Sequence, residues 1–242
     1  MVAVLALAGC AQPAKKQAYD IERSPRIHTV LLAQGPNQQS FTTVRNWFIP
    51  PGNLGAPFAL AALADTLIST ERITAALDPK QTRLQDRFTE LLRDGLVAQG
   101  YETRIVVLPA ADEPDKLLTL LRRHGPADAA LVVTLKGQVS WSEPPEDPTR
   151  DPPAAAFFPL LVVTAKAIEL GSGAVLYEDR FAYGRADQKA GATYFPSDPK
   201  YGFASVGEVV ADPARLRDGW LAGMHMIANK ILADLQRKPS GN

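Results

Sequence analysis

Apolar and polar positions recur along this chain with two periods, and the switches between them mark its elements. Over residues 129–141 the period is two. Leu131, Val133, Leu135, Val139 and Trp141 fall on one side, and Thr134, Lys136, Gln138 and Ser140 on the other. That alternation predicts an antiparallel strand with one wetted face. Apolar runs over 160–170 and 174–184 flank Gly171-Ser172-Gly173, and a tight glycine turn between such runs predicts a hairpin. Its second strand places Val175, Tyr177, Phe181 and Tyr183 on one face. Shorter runs over 27–32 and 103–108 predict two more strands, and 40–49 a weaker one that Pro50-Pro51-Gly52 ends.

Between these runs the period becomes helical. Residues 57–77 carry apolar side chains at 60, 63, 64, 67 and 68. Asp78-Pro79 then supplies an N-cap and a proline for the first turn of the clearest helix. Leu84, Phe88, Leu91, Leu92 and Leu96 line one face of that helix, Arg83, Asp86, Arg87, Glu90 and Arg93 lie on others, and Gly100 closes it. A third helix runs from about 114 to 123, stopped by Gly125-Pro126. Asp212-Pro213 repeats the cap signal after a short helix and opens the last one, which buries Leu216, Trp220, Met224, Ile227, Ile231 and Leu235 before Pro239. Residues 142–153, with five prolines and four acids, read as an exposed loop. Residues 185–201 read as a long polar and aromatic loop.

This order predicts an α/β protein with an α+β tendency. One mixed sheet has a βαβ-like first half and an antiparallel meander in its second half, with helices packed on it, including the C-terminal one. The whole reads as a single domain over 25–238 with a tail at 239–242.

The N-terminus has a different character. A short apolar run from Val2 leads to Leu7-Ala8-Gly9-Cys10, whose cysteine is the only one in the chain, and Gln12-Pro13-Ala14-Lys15-Lys16 follows. These four residues resemble the lipobox of bacterial lipoproteins. The resemblance implies a signal peptide over 1–9, removed before Cys10, and acyl chains on that cysteine holding the protein to a membrane. A single chain binds weakly, whereas two or more hold stably. Nothing basic precedes Val2 and the apolar run is short for a signal peptide, so the true start is expected upstream of Met1. With Ala11 where an aspartate would signal inner-membrane retention, the resemblance points to the outer membrane, facing the periplasm. Residues 10–24 read as the lipidated cysteine and a flexible tether, able to reach about 45–50 Å when stretched.

Composition narrows the function. Lys plus Arg equals Asp plus Glu at 26 each, a balance that offers no long-range field for phosphates and disfavours nucleic acid as a partner. One cysteine excludes a disulfide framework or a thiolate zinc site. The three histidines, His28, His124 and His225, have no second ligand at metal spacing, so neither a metal nor a cofactor is expected. No G-x-S-x-G elbow, P-loop or G-x-G-x-x-G occurs, and adjacent Glu178 and Asp179 point to opposite faces of a strand. No catalytic residue is therefore named. The richest candidate for recognition is the loop carrying Tyr194, Phe195, Tyr201 and Phe203, aromatics set among glycine and proline. Its alternative is a lid folded back over the aromatic face of the sheet.

The element order and the segment Glu169-Leu-Gly-Ser-Gly-Ala-Val-Leu-Tyr-Glu-Asp-Arg-Phe-Ala-Tyr-Gly184 are similar to the N-terminal domain of the TolB family and the periplasmic domain of the curli-secretion lipoprotein. Neither resemblance transfers a functional residue. The expectation is a membrane-anchored envelope lipoprotein with a non-catalytic binding or assembly domain and an envelope protein as partner. A lipid-tethered envelope hydrolase or a small-ligand carrier is the alternative. The peptidoglycan-binding signature of OmpA-like lipoproteins is not visible.

Overall fold

The computed structural model describes residues 16–19, 27–45, 68–109, 114–141, 157–184 and 191–236. The Leu7-Ala8-Gly9-Cys10 motif, the proline loop and the apolar positions 60–67 lie outside these residues. The protein is α/β, with one mixed seven-stranded sheet. Seven strands, β1 (Thr29–Gln34), β2 (Thr42–Arg45), β3 (Glu102–Val107), β4 (Ala129–Trp141), β5 (Phe157–Glu169), β6 (Val175–Tyr183) and β7 (Thr193–Phe195), follow the order β3-β1-β4-β5-β6-β7, with β2 also on β4. The helices are α1 (68–77 in its described part), α2 (Pro79–Thr82), α3 (Leu84–Ala98), α4 (Pro114–Arg123), α5 (Val206–Ala211) and α6 (Pro213–Asp234).

Strand β4 is where the two halves of the fold meet. It runs parallel to β1 and β2 along one edge and antiparallel to β5 along the other. Its bounds are those of the period-two pattern, but its pairing is antiparallel on one side only. The chain moves from β1 outward to β3, then back across β1 to β4. A right-handed crossover places its helices on opposite faces when the direction of winding reverses. Accordingly α3 packs with α6 over a large core containing Leu32, Phe88, Leu92, Val133, Phe181 and Trp220. The residues around α4 (Leu117, Leu118, Leu121) close a smaller cluster on the other face with Leu31, Ala33, Ala130 and Ile168. The β5–β6 hairpin turns through Gly173, at φ 80°.

Helix α6 is held by its cap and by burial. The Asp212 carboxylate accepts the Arg215 N–H and Pro213 occupies the first turn, as the sequence pattern requires. Each of its six expected apolar positions is buried. The Trp220 indole N–H, deep in the core, donates to the carbonyls of Gln138 and Leu160 at 3.2 Å, which satisfies the one polar atom of the largest buried side chain.

Three expectations are corrected. The single helix expected from Pro79 is broken: α2 ends after one turn because Arg83 takes a left-handed conformation (φ 40°, ψ 51°), and α3 starts anew. Ile68, expected on an apolar helix face, is 57% exposed, while Ile73 and Leu77 are buried. The loop expected over 185–201 contains β7, which pairs parallel with Phe181–Tyr183, a long-range contact that local periodicity cannot register.

Candidate functional site

Strands β1 and β2 lie in tandem along the same edge of β4. The β1 register ends at Gln34–Val133 and the β2 register starts at Thr42–Gln138, so residues 134–137 of β4 have no strand neighbour there. Side-chain amides fill the gap. Gln85 of α3, only 3% exposed, accepts the Leu135 N–H at 2.8 Å and donates to the Val133 carbonyl at 3.3 Å. Gln38, from the segment that joins β1 to β2, accepts the Gly137 N–H at 2.9 Å and donates to its carbonyl at 2.8 Å. Each amide thus imitates the backbone of a missing strand residue, which presents one donor and one acceptor.

Gly137 is at this point for a steric reason. A Cβ on it would lie 2.3 Å from Leu84 Cδ1 and 3.4 Å from the Trp220 ring. Its absence lets the start of α3 and the middle of α6 press onto β4, which brings Gln85 within reach of the strand.

An open cleft of about 480 Å³ lies over the gap, lined by Gly35, Pro36, Asn37, Gln38, Ser40, Thr42, Gln85, Thr134, Leu135, Lys136 and Gln138. Beside it, Gln34 donates through Nε2 to Asp86 Oδ1 at 2.7 Å, Arg83 Nε donates to Asp86 Oδ2 at 2.7 Å, and the Asp86 N–H donates to Asn37 Oδ1 at 3.3 Å. Partial burial pushes the Asp86 carboxyl up, but the side-chain hydrogen bonds of Asn37, Gln34 and Arg83, with the charge of Arg83, outweigh it and hold the carboxyl below its usual range. Gln34 Oε1 is buried and has no partner among the described residues. The arrangement offers hydrogen-bond donors and acceptors, one exposed lysine and an already committed carboxylate. Such groups are suited to polar recognition. Sequence reading missed this site, since Gln38 and Gln85 are 47 positions apart by their numbering and only the break between β1 and β2 unites them.

The aromatic candidates are placed differently from one another. Phe203 is fully buried and pairs with Phe157 through two backbone hydrogen bonds, of 3.0 and 2.8 Å. As a surface residue it is corrected: the Arg215 guanidinium covers its ring at 4.1 Å. Phe195 packs on the main core, and Tyr201 sits against Gly219, where a Cβ would lie 3.1 Å from its Cγ. Tyr194 is half-buried in β7. Most of these rings fold inward over α6 and the sheet, the lid arrangement. His28, just before β1, His124, just after α4, and His225, on α6, are all exposed.

Fold and site together define a mixed α/β domain with a polar cleft at a break in a parallel sheet edge. No protein-family model matches the chain, and no curated protein does. Among solved structures it is similar to the PelC dodecamer from Paraburkholderia phytofirmans, at 14% identity over 93% of this chain and 97% of that one, with a TM-score of 0.34. A Xanthomonas campestris protein of family DUF330 shows 10% identity over 87% and 86%, with a TM-score of 0.37. The C-terminal domain of LpoB from Salmonella enterica shows 15% over 67% and 87%, with a TM-score of 0.28. Similarity at this level does not assign a family.

Proposed function

We propose that the protein is a bacterial envelope lipoprotein, anchored by acylated Cys10 and facing the periplasm from the outer membrane, whose domain binds an envelope partner without catalysis. The observation that carries the anchor is the order Leu7-Ala8-Gly9-Cys10 with a polar, proline-broken stretch behind it. Support for binding comes from the cleft, whose exposed groups are amides, hydroxyls and Lys136, while the adjacent carboxylate is consumed by Gln34 and Arg83. The carrier reading finds less support. The more enclosed hollow, lined by Tyr19, Ile27, Leu96, Tyr101 and Leu235 among others, measures about 30 Å³, room for about one water.

Two experiments test the reading. Cys10→Ser is expected to abolish palmitate labelling and release the protein from the membrane fraction; unchanged fractionation overturns the anchor. A photo-crosslinker at Lys136 is expected to capture one defined envelope protein in cells, and the same group at Gly171 is not. Turnover of a wall or lipid substrate by the purified protein, abolished by substitution in the cleft, overturns the non-catalytic role.

A further inference from the structure

Residues 16–19, expected within a flexible tether, are stitched to the sheet. Gln17 forms an antiparallel bridge with Glu178: its N–H donates to the Glu178 carbonyl at 2.8 Å and its carbonyl accepts the Glu178 N–H at 3.0 Å. The Gln17 side chain adds a bond to the Val175 carbonyl at 2.6 Å. Tyr19 packs against the main core. Lys16 Nζ lies 3.2 Å from Asp179 Oδ2 and donates to Thr193 Oγ1 at 3.1 Å, and Thr193 Oγ1 donates to the same carboxylate oxygen at 3.0 Å.

Charge explains why this seam holds. Asp179 lies on the core face of β6, in line with Tyr177 and Phe181, and its side chain is 1% exposed, against 58% for Lys16. A buried carboxylate stripped of its partner is strongly unfavourable. Removing Lys16 leaves Asp179, among the described residues, with Thr193 and the Arg180 N–H, so the chain is retained by the cost of uncovering that charge.

We infer that Lys16 and Gln17 form a latch that sets the β6–β7 edge of the sheet against the lipid headgroups, making that edge a membrane-facing surface. The inference rests on Cys10 being acylated. Six residue steps separate Cys10 from Lys16, a reach of about 20 Å at most, less than half that of a free tether. The outer edge of β6 is taken by β7 along Phe181–Tyr183 and by Gln17 at Glu178, so the chain leaves the sheet at this edge, and the short reach back to Cys10 makes the bilayer the surface it faces. Arg180, exposed on β6 beside the latch, presents a cation to headgroup phosphates.

The test uses the full acylated chain, its acylation verified by mass, in phosphatidylethanolamine–phosphatidylglycerol vesicles carrying headgroup energy acceptors. With the Cys10 sulfur acylated, a single new cysteine takes the donor dye: Ala192→Cys beside the latch, or Val107→Cys on β3, five strand spacings away and roughly 24 Å distant. Transfer is expected to be at least twofold more efficient from position 192 than from 107, and the combined Lys16→Glu and Gln17→Pro changes are expected to erase the difference. Equal transfer from both positions in the unaltered chain, or a difference that survives the latch changes, overturns the orientation. Hydrogen exchange at the Glu178 amide reads the latch without reference to lipid. It is expected to quicken by about tenfold in the same variant, the factor for one net hydrogen bond, and an unchanged rate overturns the latch. A chain that arrives unacylated refutes the anchor reading instead and leaves the exchange result standing.

Discussion

Replacing Gln85 by leucine isolates the role of a side-chain amide as surrogate backbone. The two side chains are similar in volume, so the change removes hydrogen bonds and little packing. Left behind are the Leu135 N–H and the Val133 carbonyl, on residues 6% and 0% exposed, with no strand opposite to take over, while Thr89 Oγ1, which also accepts from the amide at 3.3 Å, keeps its bond to the residue 85 carbonyl. A buried polar group deprived of its partner costs about 1–3 kcal/mol. Two such groups, offset in part by burying leucine in place of an amide, give a loss of about 2–4 kcal/mol. For a chain of this size that corresponds to a fall in Tm of roughly 5–15 °C. Urea unfolding followed by circular dichroism is the assay, and the midpoint is expected to fall with the slope unchanged. Gln38→Ala is the control. Its partner Gly137 makes the same pair of bonds, but Gln38 is half-buried in an open cleft, where water can replace the amide, and the cost is expected near 0.5–1 kcal/mol. Equal losses in the two variants, or a Gln85→Leu protein as stable as the parent, would refute the surrogate-strand reasoning.

Gly223→Ala is expected to destabilise by about 1–3 kcal/mol through overpacking, because its Cβ would lie 2.4 Å from the Tyr183 ring; thermal unfolding checks it. Gly184→Ala is expected to be worse, combining a φ of 116° with a Cβ 2.4 Å from the Pro159 carbonyl oxygen, and to show as loss of soluble folded protein on expression. Acid stability follows from two carboxyls held low. Asp128 is lowered first by the Thr29 backbone N–H, then by that of His28, the bonds to Oδ2 being 2.8 and 2.7 Å, and Asp86 by the network described above. Groups with a depressed folded pKa stabilise above the ordinary carboxylate value and lose that contribution as pH falls through the folded value. Urea midpoints are therefore expected to be flat from neutral pH to about pH 4.5 and to fall below it, and Asp128→Asn is expected to flatten the fall. An identical acid slope in that variant would disprove the assignment.

Much of the secondary structure was legible because its causes are local. Asp212-Pro213 starts α6, Gly171-Ser172-Gly173 turns the hairpin, and the alternation over 129–141 coincides with β4. Arg83 breaks a helix that periodicity carries straight through, since a left-handed arginine leaves no trace in an apolar pattern. The aromatic loop looked like a surface because composition cannot say which way a ring points, and Phe203 points inward.

By itself the amino-acid order determined the α/β class, most of the strands and helices, the N-cap of α6, and the motif around Cys10, each read from neighbours within a turn or a strand length. Tertiary structure alone decided that β4 is parallel on one edge and antiparallel on the other, that Gln38 and Gln85 meet in the interval between β1 and β2, and that Lys16 covers Asp179, 163 positions away by number. The physical reason is that burial and hydrogen-bond satisfaction are properties of the assembled chain. An unpaired N–H or a lone carboxylate acquires its cost only when folding removes water, and the residues that relieve it come from wherever the topology delivers them.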